Sequence, residues 1–220
     1  MKLSKETLAI IKNYASINSN LLIKPGNKLS TIAVGSTILS TSTVTDNFDK
    51  EFPIYDVNEF LSALSLFEDP DLEFSDKYVT ISQGKGSIKY FAAAMEAMVV
   101  PKKEIVFPEA EINFTLDAQT YSMILKTAPL LKTSNVSFVG NGSTTSLVVV
   151  DKKNATGNAY TYEIGTTTLN FKVNLLIDNI KLMPGDYDVS ISSKKISRFK
   201  SKTSDLVYYV AVEADSTFDA

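Results

Sequence analysis

The residues best placed to do chemistry in this chain are lysines on the outer faces of helix-like segments. In "SKETLAIIKNYASIN" (residues 4–18), Lys5 and Lys12 stand seven residues apart, so on a helix one lies above the other. Ala9 and Ser16 complete their row, which leaves two ammonium groups on a low, uncluttered stripe. Such a stripe is a local basic feature on a chain that is acidic overall. Taken alone, two lysines on an outer face read first as a solvated surface. A third, Lys126, recurs 114 residues after Lys12 in a second helix-like segment.

Other constellations lead elsewhere. "EDPDLEFSD" supplies Glu68, Asp69, Asp71, Glu73 and Asp76, a set that invites a metal or paired-carboxylate reading. It lacks the glycine and ligand spacing of a calcium loop, and its alternation with Leu72 and Phe74 is that of a half-buried strand. "GKGS" at residues 84–87 reads as a turn, and no GxxxxGK[ST] occurs to cradle a nucleotide. The densest basic run, "SSKKISRFKSK" (residues 192–202), has the pattern of a solvated loop or hairpin between strands. With neither cysteine nor histidine, the chain has no disulfide, no Cys/His zinc site, no thiol nucleophile and no Ser-His-Asp triad. The expectation is a protein that is not an enzyme and takes no metal or cofactor.

Positioning these lysines requires a folded body, and 220 residues with 44% hydrophobic content are enough for one large domain or two modest ones. A formal charge of −3 argues against a generic nucleic-acid binder while leaving room for a local basic patch on an acidic body. The longest apolar run, "FAAAMEAMVV", is short and carries Glu96, so no membrane partner is expected.

The chain repeats itself. "DLEFS" (residues 71–75) matches "DYDVS" (residues 186–190) 115 residues later, each after a proline turn. Ser4 caps the first helix, with Leu8, Ile11 and Ala15 as its buried stripe, and Asp117 caps a counterpart with Tyr121, Leu125, Ala128 and Leu131 on one face. "YDVNEFLSALSLF" is the second helix of the first half, capped by Asp56, with Val57, Phe60, Leu61, Leu64 and Phe67 inward and Asn58, Ser62 and Ser65 outward. A fourth helix is expected around residues 175–183, ending at Pro184. β-branched runs fill the rest of each half, the second half's being punctuated by Asn141-Gly142 and "KKNATGN". The resulting plan is two similar α+β domains, residues 1–95 and 111–220, joined by a proline-containing linker over residues 96–110.

"MKLSK", "KNYASINS", "FPIYDVNEFLSALSLF", "KLMPGDYDVSI" and the C-terminal "YYVAVEADSTFDA" resemble the sliding clamps of T-even-type bacteriophages, the DNA polymerase processivity factors. The likeness runs from end to end. It implies the DNA clamp fold: six similar domains in a ring, with curved antiparallel sheets outside and two helices per domain facing the hole. With two domains per chain, the ring is a homotrimer closed head to tail. Its joints would pair the edge strand around residues 87–93 of one copy with that around residues 160–165 of the next.

The resemblance assigns DNA-facing roles to Lys5 and Lys12 on the first helix, Lys126 on the third and Lys181 on the fourth, with Lys2 and Lys132 at the fringes. Pro129 departs from the pattern, since a proline there removes a helical hydrogen bond and can end the helix before Lys132. A hydrophobic pocket for partner peptides falls on Val99, Val100, Ile105, Val106 and Phe107. The implied function is a non-catalytic processivity clamp that encircles duplex DNA without regard to sequence. It would tether the polymerase by a C-terminal peptide, be loaded by a clamp-loader ATPase, and serve other replication or late-transcription proteins in the cytoplasm of the infected host. The alternative is a duplicated β-rich structural or ligand-binding phage protein with an ordinary lysine surface.

Overall fold

Helix α1 (Lys5–Ile17) starts where it does because the Ser4 hydroxyl accepts the Thr7 N–H at 3.1 Å, as the computed structural model of residues 1–151, 154 and 156–218 records. The Ser4 N–H in turn donates to the Asp46 carboxylate at 2.8 Å. Its buried stripe is Thr7, Ile10, Ile11, Tyr14 and Ile17, while Leu8 and Ala15, expected inside, are half-buried. Tyr14 sets that rotation: its hydroxyl donates to the Leu29 carbonyl and accepts from Ser40 at 3.2 Å, inside the core.

The chain divides into two compact units, Met1–Glu104 and Ile105–Ala220. In the first, α1 is followed by β1 (Leu21–Ile23), β2 (Gly26–Ile32), β3 (Ile38–Phe48) and β4 (Phe52–Ile54). Helix α2 (Val57–Ser65) and the strands β5 (Asp71–Phe74), β6 (Tyr78–Gln83) and β7 (Gly86–Phe91) complete it. β1 pairs with β4, β2 with β3, and β5, β6 and β7 form an antiparallel sheet in that order. Asp56 caps α2 by accepting the N–H groups of Asn58 and Glu59, and Val57, Phe60 and Leu64 form its buried side. Phe74 of β5 meets Phe48 and Phe52 edge-on, so the acidic stretch is held by its apolar alternation.

In the second unit, β8 (Ile112–Leu116) leads into α3 (Ala118–Leu131). The strands β9 (Asn135–Asn141), β10 (Thr144–Val150), β11 (Ala159–Thr166) and β12 (Asn170–Leu176) follow, then β13 (Tyr187–Ser192), β14 (Ile196–Ser201), β15 (Val207–Ala211) and β16 (Thr217–Phe218). One sheet runs β11-β10-β9-β12-β16, and β8, β13, β14 and β15 are neighbours in another. Lys152, Lys153 and Ala155 of the predicted "KKNATGN" turn, and the last two residues, lie outside the described residues.

The fourth helix is absent. β12 continues its strand alternation to Leu176, which pairs with Asn135, and only the short 3-10 turn Ile177–Asn179 separates it from Ile180. Buried Asn174 fixes the strand, accepting from Ser137 at 2.7 Å and donating to Asp215, while its backbone N–H reaches the Ser216 hydroxyl at 2.9 Å. Too few residues then remain before Pro184 for a stable helix. Their polar groups bond Tyr121 of α3 instead: its hydroxyl donates to the carbonyls of Ile180 and Leu182 and accepts the Leu182 N–H at 3.1 Å.

Candidate nucleic-acid interface

Cap for cap, α1 and α3 are built alike. Asp117 accepts the Thr120 N–H at 2.6 Å as Ser4 accepts that of Thr7, and both threonines are buried. The bond from the Thr120 backbone holds the Asp117 carboxyl below the usual aspartate range. Burial pushes the Asp46 carboxyl up, yet hydrogen bonds from Thr7 and Ser4 outweigh it and leave Asp46 low as well. Each helix thus begins on an anion, complementing its dipole.

The outer faces differ. On α1, Lys5 and Lys12 are exposed, and both border a cleft of about 480 Å³ floored by Leu8, Leu61, Leu64 and Leu72. On α3, Lys126 is exposed between two apolar side chains, Leu125 (44% exposed) and Leu130 (79%). Leu125 is therefore a correction to the predicted buried face, which consists of Thr120, Tyr121, Ile124, Thr127 and Ala128. Aligned by their caps, Lys12 falls on Leu125, and Lys126 sits one residue further round the helix.

The remaining lysines separate. Lys2 is ion-paired to Asp69, and that hydrogen bond raises its pKa. α3 passes Pro129 and ends two residues later, where Lys132 takes left-handed dihedrals (φ 54°) while Thr133 N–H returns to the Ala128 carbonyl at 3.0 Å. Lys132 is exposed, on the cap rather than the helix face. Lys181, expected on the fourth helix, is half-buried in the irregular segment before β13. The basic run at residues 192–202 is only partly a loop: Lys194 is in the turn, whereas Arg198 and Lys200 belong to β14.

The predicted pocket residues fall in both units. Val99 and Val100 lie near the end of the first. Two buried amides seize the Val99 backbone: Asn18 Nδ2 donates to its carbonyl at 2.8 Å, and its N–H donates to Asn20 Oδ1 at 2.9 Å. Ile105, Val106 and Phe107 open the second. Val106 is 92% exposed, while the Phe107 ring lies 6.0 Å from Tyr209 and 4.6 Å beneath the Arg198 guanidinium. Asn18, Asn20 and Arg198 escaped the sequence reading, although Arg198 is the chain's single arginine. β7 and β11, which hold residues 87–91 and 160–165 of the two predicted edge segments, are each outermost in their sheets, and Ala92 and Ala93 lie beyond β7.

Residues 4–100 match the family described as DNA polymerase processivity factor. Over its whole length the chain is 32% identical to the sliding clamp of Escherichia phage RB69 and 33% identical to that of Enterobacteria phage T4, each aligned over its full length too. The chain belongs to the sliding-clamp family. It is a non-catalytic processivity clamp with an α+β clamp fold. Among solved structures, the sliding clamp of Bartonella birtlesii, a DNA polymerase III subunit beta, superposes on 97% of the chain with a TM-score of 0.71 at 14% identity; 64% of that protein is covered. The A. fulgidus PCNA, solved with the C-terminal region of FEN-1 bound, superposes with a TM-score of 0.68 at 12% identity and 96% coverage of both chains.

Proposed function

We propose that three copies of this chain join head to tail into a ring around duplex DNA and tether the replicative polymerase in the cytoplasm of the infected host. Each chain supplies two clamp domains, residues 1–95 and 111–220, joined by residues 96–110. The observation that carries the reading is the exposure of Lys5, Lys12 and Lys126 on capped helices, in a chain that sliding clamps match over its full length. These three lysines are the principal phosphate contacts. Lys132 assists from the helix cap. Lys2, already paired with Asp69, and Lys181, off any helix, contribute least.

Few and exchangeable phosphate contacts suit a ring that must slide, because each neutralised phosphate contributes a log–log salt slope of about −0.9. The polymerase attaches by a C-terminal peptide beside Val99, Val100, Ile105, Val106 and Phe107; the A. fulgidus PCNA, of the same fold, has a C-terminal region of FEN-1 bound. A clamp-loader ATPase opens the ring. The deciding experiment loads the protein onto circular DNA and then linearises that DNA. Retention on the circle and loss from the linear form is the expected result; equal retention on both would overturn the topological tether.

A further inference from the structure

β7 and β11 carry complementary faces as well as open edges. In the first unit, Ala92 N–H donates to the Lys77 carbonyl, which makes that pair a hydrogen-bonded one. Antiparallel pairs alternate, so the bonds within the sheet fall next on Val79–Tyr90 and Ile81–Ile88. The backbone groups of Ser87, Lys89 and Phe91 therefore point to the open edge. The other edge, β5, is occupied by Met1, whose carbonyl accepts the Leu72 N–H at 2.7 Å.

In the second unit, Thr167 N–H donates to the Ser143 carbonyl, so the odd residues of β10 face β11. Their partners Tyr160 and Tyr162 bond inward, and Thr161 and Glu163 present their backbone to the open edge. The side chains sort in the same way. Tyr90 lies against Phe60 of α2, on the helix side of its sheet, which puts Lys89 on the other side. Tyr160 and Tyr162 oppose buried Val149 and Leu147, which puts Glu163 on the side away from that core. Lys89 is held by cation–π contact, its ammonium 4.5 Å from the centre of the Tyr78 ring. Glu163 has no ion pair among the described residues, and both side chains are exposed.

We infer that β7 of one copy and β11 of the next join antiparallel with Lys89 directly opposite Glu163, an ion pair that sets the register of every joint. This rests on the head-to-tail ring proposed above. The same register puts Tyr90 opposite Tyr162 on the helix side and Phe91 opposite Thr161 beside the ion pair, and it runs up to the bulge of β11 at Ile164. A slip of one residue would turn every side chain to the wrong face, and a slip of two would strand both charges. Opposite charges set directly across a strand pair stabilise it, and like charges destabilise it.

The test is a charge swap, with trimer mass followed on dilution by sedimentation. Lys89→Glu or Glu163→Lys alone is expected to raise the midpoint concentration of dissociation about tenfold at low salt. The double variant Lys89→Glu/Glu163→Lys should return to within about threefold of the parent, with the differences shrinking in about 1 M salt. Circular dichroism melts of the dissociated chains should coincide, since both side chains lie on exposed edges. A double variant no better than the single ones would overturn the register while leaving the parent trimer, and with it the ring, intact. A parent protein that stays monomeric at every concentration would overturn the ring itself.

Discussion

The two units solve the same local problem and then part. Each opens with a strand or extended segment feeding a helix whose cap is an oxygen accepting from a buried threonine, Thr7 in one and Thr120 in the other. After that, the first unit inserts α2 and buries Val57, Phe60 and Leu64 beneath it. In the second, β12 ends opposite Asn135 as β4 ends opposite Leu21, and an irregular segment packs onto α3 through the Tyr121 hydroxyl. A helix in one unit can therefore give way to an irregular segment in the other, provided that the buried polar groups of the replacement are satisfied. In the second unit a single phenol satisfies three of them.

That dependence gives the largest expected effect. Tyr121→Phe leaves two carbonyls and one N–H around residues 180–182 without their partner, at about 1–3 kcal/mol of stability. Urea titration followed by near-ultraviolet circular dichroism should register the loss as a lower unfolding midpoint. An unchanged midpoint would mean that the segment is not held by α3.

The caps should cost less and cost equally. Ser4→Ala and Asp117→Ala are each expected to remove about 1 kcal/mol, measured by thermal melts. They differ in acid. Asp117 and Asp46 sit below their ordinary value of about 3.9 in the folded chain. The unfolded chain therefore takes up protons first, so their stabilisation is complete above that value and fades as pH falls through the folded pKa values. Asp117→Asn should keep the cap and remove this part of the acid sensitivity, read as a shallower loss of helical ellipticity between about pH 4 and 2.

Charge reversal at Lys12 or Lys126 should shift stability by no more than about 0.5 kcal/mol while impairing DNA loading. Lys12 borders the leucine-floored cleft and Lys126 lies between exposed leucines, so Lys12→Glu should bring the larger loss of loading at low salt. Equal losses would show that the neighbours of each lysine are irrelevant. Val106→Asp, at a side chain 92% exposed, should leave the melting curve in place and weaken binding of a polymerase C-terminal peptide in a fluorescence titration. Unchanged affinity would move the pocket elsewhere.

What the sequence reveals follows from the range of the forces involved. α1, α2 and the strand at Asp71 are legible because a cap, a stripe and an alternation all lie within a few residues. The fourth helix misled because "NLLIDNIKLM" has apolar residues at helical spacing, whereas the decisive partners of Asn174 are Ser137, Asp215 and Ser216, distant in sequence. Leu125 misled because its place depends on how Tyr121 turns the helix. Lys5 and Lys12 were legible as exposed cations because their helix row is otherwise small, and Lys126 because it recurs at nearly the same place after its cap, although its exposed neighbours Leu125 and Leu130 were not foreseen. The grip of Asn18 and Asn20 on Val99 spans about eighty residues and no spacing rule announces it.

That grip also decides where the chain has slack. Ordering a long loop costs conformational entropy that rises only slowly with its length, so length itself is cheap once both ends are fixed. With Val99 pinned between two buried amides, the segment from β7 to Val99 is a closed loop whose ends cannot drift. Beyond Val99 the next tie within the first unit is the ion pair of Lys28 with Glu104. A residue added or deleted between Val99 and Glu104 has only that exposed ion pair to disturb, whereas a single residue gained before Val99 would pull a buried pair of hydrogen bonds out of register.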